Sequence, residues 1–161
     1  MLTLGIDPGI ATLGWGFVED DGRGLNVVSY GCVRTTPKST PSERLGILHS
    51  EIRSLVKLHK PDCLAVEKLF FGANAKTAIS VGQARGVVLL VAAEENIPVA
   101  EYTPLEVKMA ATGYGRADKN QMQQMVKTLL RLDAIPKPDD VADALAVAIC
   151  HLNSYKMAVG T

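Results

Sequence analysis

"LTLGIDPGIATLGWGFVEDDG", residues 2–22, reads as two strands joined by a tight, glycine-bearing connection. Leu2, Leu4 and Ile6 alternate with Thr3, Gly5 and Asp7, the period-two pattern of a strand with one buried face. Asp7 ends that strand where packing would favour an apolar residue. Residues 14–18 return, "DDGRG" (20–24) turns the chain, and "LNVVSYGCVR" (25–34) supplies a third strand rich in β-branched and aromatic residues. An antiparallel meander is predicted.

Beyond the meander the pattern changes. A helix is predicted from near Ser42 to Pro61, with Leu45, Leu48, Ile52, Leu55 and Val56 at helical spacing. "DCLAVEKLF" (62–70) is a short apolar strand interrupted by Glu67. A long helix from about Asn74 to Glu95 leads to the strand "IPVAEY" (97–102). Thr103 caps a helix with Pro104 at its first position. The glycine-bearing link "TGYGRADK" (112–119) precedes a helix over 119–132, and a last helix opens within "PKPDDVADALAVAICHLN" (136–153). The order βββαβαβααα predicts an α/β domain, a five-stranded mixed sheet flanked by helices on both faces. One domain is expected over 1–155, with a short tail at 156–161.

Composition fits that reading. With 161 residues, 47% hydrophobic and 21% charged, the chain is long enough for a single packed core. No basic segment followed by an apolar one opens the sequence, and no apolar run approaches the ~20 residues of a membrane span, so a cytoplasmic protein is expected. Cys32, Cys63 and Cys150 are too scattered for a disulfide framework or a zinc site and are read as buried small hydrophobes. The 17 bases balance the 17 acids, so a polyanion must be met by a local patch. Lys108, Arg116, Lys119, Lys127, Arg131 and Lys137 supply one, because residues 107–131 hold only Asp118 as an acid. A solvated helix face is the ordinary alternative.

Four acids sit in apolar surroundings: Asp7 at a strand end, Glu67 closing "CLAVE", and Asp140 with Asp143 in the last helix. Each has an ordinary explanation taken singly: a turn beside Pro8 and Gly9, an ion pair with Lys68, a helix cap or first-turn acid. Together they need three separate explanations, whereas one cation among them needs none. Asp140 and Asp143, three residues apart, are predicted to point along one helix face. An oxygen-only set favours Mg²⁺ or Mn²⁺. Two such ions about 3.5–4 Å apart would bind a phosphodiester and activate water, which is nuclease chemistry. His151, two turns past Asp143, is read as structural.

The stretches "GIDPG" with "GWG", "AVEKLFFGANAKTAISVGQARG", "YTPLEVKMAATGYGRADKNQM" and "DDVADALAVAICH" together resemble the RuvC family of Holliday junction resolvases, in order from Leu4 to His151. The resemblance implies an RNase H-like fold. It implies a homodimer that nicks two like-polarity strands of a four-way DNA junction, leaving 5′-phosphate and 3′-hydroxyl ends, in homologous recombination and DNA repair. It places the metal-binding acids on Asp7, Glu67, Asp140 and Asp143, and basic contacts on Lys108 and Lys119, with Lys119 supporting catalysis. It also puts a contact to unstacked bases on Phe70, and branch-migration proteins among the partners. Arg116, in the same basic stretch, is a further candidate DNA contact.

Two other classes share parts of this pattern. Actin-like and sugar-kinase ATPases also hold metal and phosphate on a first-strand aspartate and hairpin, but usually carry two similar lobes. A non-catalytic DNA-structure-binding module would not need four acids. Gly82 and Gly86, four apart on the long helix, leave a smooth stripe for the sheet or for a second subunit. The glycines of the opening hairpin are expected to leave room for a DNA backbone.

Overall fold

The opening stretch folds as the predicted hairpin, β1 (Leu2–Asp7) and β2 (Thr12–Asp20), with Asp7 opposite Gly14 and Gly5 opposite Gly16. The computed structural model describes residues 1–69 and 75–159. In it β3 (Leu25–Arg34), α1 (Pro41–His59), β4 (Cys63–Glu67), α2 (Ala75–Glu94) and β5 (Val99–Tyr102) follow, then α3 (Pro104–Thr112), α4 (Lys119–Leu129) and α5 (Asp139–Val159). The sheet order is β3-β2-β1-β4-β5. The meander is antiparallel, while β4 joins β1, and β5 joins β4, in parallel.

Helix starts follow local chemistry. Thr40 and Glu43 form a reciprocal capping box with Pro41 at the first position, so α1 opens just before the expected Ser42. Thr103 and Glu106 do the same for α3, and Asp118 with Gln121 for α4. Helix α5 runs to Val159, through residues 156–159 of the stretch expected as a tail.

Strand alternation sorts the side chains into two cores. Leu4, Ile6, Leu13, Phe17, Leu64 and Val66 pack under α1 and α2 with Leu48, Ile52, Val88 and Val91. Val18 and Ala65 face the other layer, with Val107 of α3, Val126 of α4, and Leu145 and Ile149 of α5. Two steps along β4 from Ala65 lies Glu67, and two steps along β1 from Gly5 lies Asp7, so both acids leave the sheet on the α5 side.

Glycine governs how close α5 comes. A Cβ on Gly5 would stand 2.0 Å from the Ala144 carbonyl oxygen, and one on Gly14 2.0 Å from that of Asp140. The room made by these hairpin glycines is therefore filled by α5 and not by DNA, which corrects the sequence reading. Helix α2 is apolar over Thr77–Glu94 and long enough to cross a membrane by length and composition alone. Ala84, Val88, Val91 and Ala92 nevertheless bury one face of it in the core. Cys63 and Cys150 are buried as expected; Cys32 is half-buried, and all three are free thiols.

Candidate active site

Ile6 pairs with Val66, so Asp7 and Glu67 emerge at the same level from the ends of two adjacent parallel strands. Close seating of α5 on Gly5 and Gly14 brings its first turns over those ends. Asp7, Glu67 and Asp143 then line one cavity of about 330 Å³, together with Lys108 of α3 and Lys119 of α4. Asp140 does not join them there. It lines a neighbouring groove beside Gly9 and Ile10, so the two α5 acids, expected on one face, open on two adjoining hollows. Asp140 still lies close enough for its charge to act on both Asp7 and Asp143.

The charges interact strongly. Burial, followed by repulsion from Asp143, Asp140 and Glu67, raises the Asp7 carboxyl to about 7, only partly opposed by Lys119. Burial and the charge of Asp143 raise Glu67, and Lys108 pulls it back. Burial raises Asp143 as well, against the attraction of Lys119. Clustered carboxylates that resist ionisation gain most from a cation.

Lys119 supplies part of that charge. Its Nζ lies 3.5 Å from Asp143 Oδ2 and 3.3 Å from Asp139 Oδ2. Burial works against the ammonium, but Asp143 and Asp139 outweigh it and raise the pKa. Asp139 is in turn 3.3 Å from Lys137 Nζ. Sequence reasoning passed over Asp139. The available signal was its place in the first helical turn, directly behind a lysine and a proline.

The other expected residues fall as follows. Arg116 is exposed and does not line the cavity, although the next residues, Ala117 and Asp118, do. Phe70 lies outside the described residues. His151 is buried away from the cavity, its Nδ1 2.8 Å from the Tyr102 hydroxyl, and burial lowers its pKa.

Among the described residues no three His, Cys, Asp or Glu side chains form a ready-made cage for one ion. The donor chemistry fits a hard divalent cation all the same. Three carboxylates open on one hollow with room for the waters such an ion keeps, and their mutual repulsion is what its charge would relieve.

The comparisons with known proteins agree with this chemistry. The family model described as crossover junction endodeoxyribonuclease RuvC matches residues 3–151. The RuvC of Desulfitobacterium hafniense is 58% identical over 157 residues, 98% of this chain and 95% of that protein. The Desulforamulus reducens protein of the same name is 57% identical over 151 residues, 94% of this chain and 93% of its own length. Among solved structures, T. thermophilus RuvC in complex with Holliday junction substrate superposes with a TM-score of 0.89 at 35% identity, covering 98% of this chain and 96% of that one. The five-stranded sheet and its helices are thus the RNase H-like fold that the resemblance implied. Matched by the family model along almost its whole length, and sharing more than half its residues with full-length relatives, the chain belongs to the RuvC family of crossover junction endodeoxyribonucleases.

Proposed function

We propose that this chain resolves four-way (Holliday) DNA junctions by paired, divalent-metal-dependent nicks that leave 5′-phosphate and 3′-hydroxyl ends, acting in the cytoplasm in homologous recombination and repair. The observation that carries the reading is the convergence of Asp7, Glu67 and Asp143 on one cavity flanked by two lysines. Membership of the family supports the junction as substrate.

Asp7, Glu67 and Asp143 would hold Mg²⁺ or Mn²⁺ from the cavity, and Asp140 from the adjoining groove; two ions per site is the proposed loading. Such ions polarise phosphodiester oxygens and lower the pKa of water. Lys108 and Lys119 offset negative charge where phosphate oxygens gather, and such preoriented charge acts more strongly the more water a bound strand excludes. Lys119, already shared between Asp143 and Asp139, can turn toward a phosphate while Asp139 still holds it. Arg116 and Phe70 are further proposed DNA contacts.

Synthetic four-way junctions and linear duplexes, each incubated with Mg²⁺, Mn²⁺ or EDTA, test this. Symmetric nicks are expected on the junction alone and only with metal. Junction cleavage that persists in EDTA, or no cleavage with either metal, would overturn the reading.

Paired nicks need two active sites, and α2 is the proposed seam of a homodimer. Ile79 and Leu90 are exposed on it, and the space beside Gly86 is open. Ile79, Gln83, Gly86 and Leu90 recur at spacings of four, three and four, the period of a helix–helix seam. Leu90→Asp is expected to shift the protein from dimer to monomer in sedimentation at micromolar concentration; a parent that is monomeric there removes the dimer. Branch-migration proteins remain the proposed partners on the strength of family resemblance.

A further inference from the structure

Of the residues around the adjoining groove, the reaction centre as proposed uses Asp140 alone. That groove, about 470 Å³, lies against Asp140 and is bounded by the β1–β2 turn at Gly9 and Ile10, by Arg44 of α1 and by Ser80 of α2. Asp140 ties it to the reaction centre, because it lies on α5 three residues before Asp143, which lines the cavity.

Arg44 is held there in a fixed orientation. Its Nε donates to the Thr35 hydroxyl oxygen at 2.7 Å, and that hydroxyl donates to the Ile10 carbonyl at 2.5 Å. The guanidinium is thus braced against the same turn that bounds the groove. Two other arginines in side-chain hydrogen bonds end on carboxylates: Arg53 on Glu95 and Arg85 on Glu101, each at 2.6 Å. Arg44 ends on a neutral hydroxyl, and among the described residues it takes part in no ion pair. One of five N–H donors is used in orienting the group, so four remain with their charge uncancelled. A planar cation set at the edge of an open groove with spare forked donors matches the oxygens of a phosphate.

We infer that Arg44, oriented by Thr35, is a phosphate clamp: it grips one backbone phosphate of the DNA strand as that strand passes over Asp140, on the side of the reaction centre away from Lys108 and Lys119. The inference rests on the nuclease reading of the acid site. It also answers how a chain of zero net charge meets a polyanion, because the acids are then bracketed by cations on both flanks and not only by the 107–131 stretch. A clamp on phosphate positions the strand without reading its sequence.

Junction binding in EDTA, where no cleavage is expected, is measured against KCl concentration for the full chain, Arg44→Ala, Arg44→Gln and Thr35→Val. Arg44→Ala is expected to bind junctions of any sequence about tenfold more weakly, with the slope of log affinity against log salt falling by about 0.9 for each phosphate contact removed. Arg44→Gln removes the charge but keeps a donor for Thr35, so it should show the same loss of slope; it carries the test should the alanine variant unfold. Thr35→Val keeps the charge and frees its orientation, and an intermediate loss is expected. With metal present, KM should rise more than kcat falls. A folded Arg44→Gln variant with the parental salt slope overturns the clamp, as does a loss of affinity confined to some junction sequences. A parent that neither binds nor cleaves junctions overturns the nuclease reading itself, a distinguishable result.

Discussion

Asp7→Asn is expected to abolish junction cleavage, by roughly 10²–10³-fold or more, while the variant becomes more stable than the parent at alkaline pH in the absence of metal. Both effects come from one cause. Asp7 titrates near 7 in the folded chain and near 3.8 when unfolded. Between those values the folded state keeps a proton that the unfolded state has lost, so stability falls as pH rises from about 4 to about 7, by on the order of 4 kcal/mol. Above 7 the full penalty of a buried, repelled carboxylate is present, and Glu67 and Asp143, both raised, add to it with the same sign. An asparagine has nothing to ionise and escapes its share. Urea midpoints at pH 5 and pH 8 in EDTA should therefore diverge between parent and variant, with the variant ahead at pH 8 and the gap narrow at pH 5. Adding Mg²⁺ at pH 8 should raise the parent more than the variant. Parallel pH profiles for the two proteins would show that Asp7 carries no such strain.

Much of this site was legible in the sequence because strand alternation is a local property. Leu4 and Ile6 point one way, so Gly5 and Asp7 must point the other, and the same rule applied to "CLAVE" sends Ala65 and Glu67 to one face. What alternation cannot say is which layer covers each face. That depends on contacts between residues more than a hundred positions apart, which is why the hairpin glycines suggest space for DNA in the sequence whereas α5 fills that space in the fold. The same gap hid the division of labour on α5. Helical spacing places Asp140 and Asp143 on neighbouring rows, but only the position of the β1–β2 turn makes one row face the cavity and the other the groove. Asp139 escaped notice for a related reason: its partner Lys119 is twenty residues earlier on another helix, and no periodicity links the two. Thr35 and Arg44 likewise become a unit only once the hairpin returns past Ile10.

If the seating of α5 is what assembles the acids, then a single methyl group beneath it should undo the enzyme. Gly14→Ala places a Cβ 2.0 Å from the Asp140 carbonyl oxygen and 2.9 Å from the Val141 nitrogen, both backbone atoms that cannot rotate aside. Helix α5 must lift from β2 at the turn that carries Asp140 and Asp143, or β2 must sink into the core beneath Leu13 and Phe17. Overpacking of this kind costs about 3 kcal/mol, and more where only backbone can yield. The expected variant melts well below the parent and, even at temperatures where it remains folded, cleaves junctions poorly, because lifting α5 separates Asp143 from Asp7 and Glu67. Gly5→Ala should behave alike, since its Cβ meets the Ala144 carbonyl oxygen at 2.0 Å. Gly46→Ala supplies the opposite sign: within α1 nothing lies within 4 Å of the added carbon, and exchanging glycine for alanine in an exposed helix should stabilise by about 0.5–1 kcal/mol with activity unchanged. Thermal melts and cleavage rates of the three variants separate a glycine needed for close approach from one that is merely tolerated. A Gly14→Ala protein with parental melting and parental cleavage would mean that α5 does not sit on the hairpin as closely as this geometry requires.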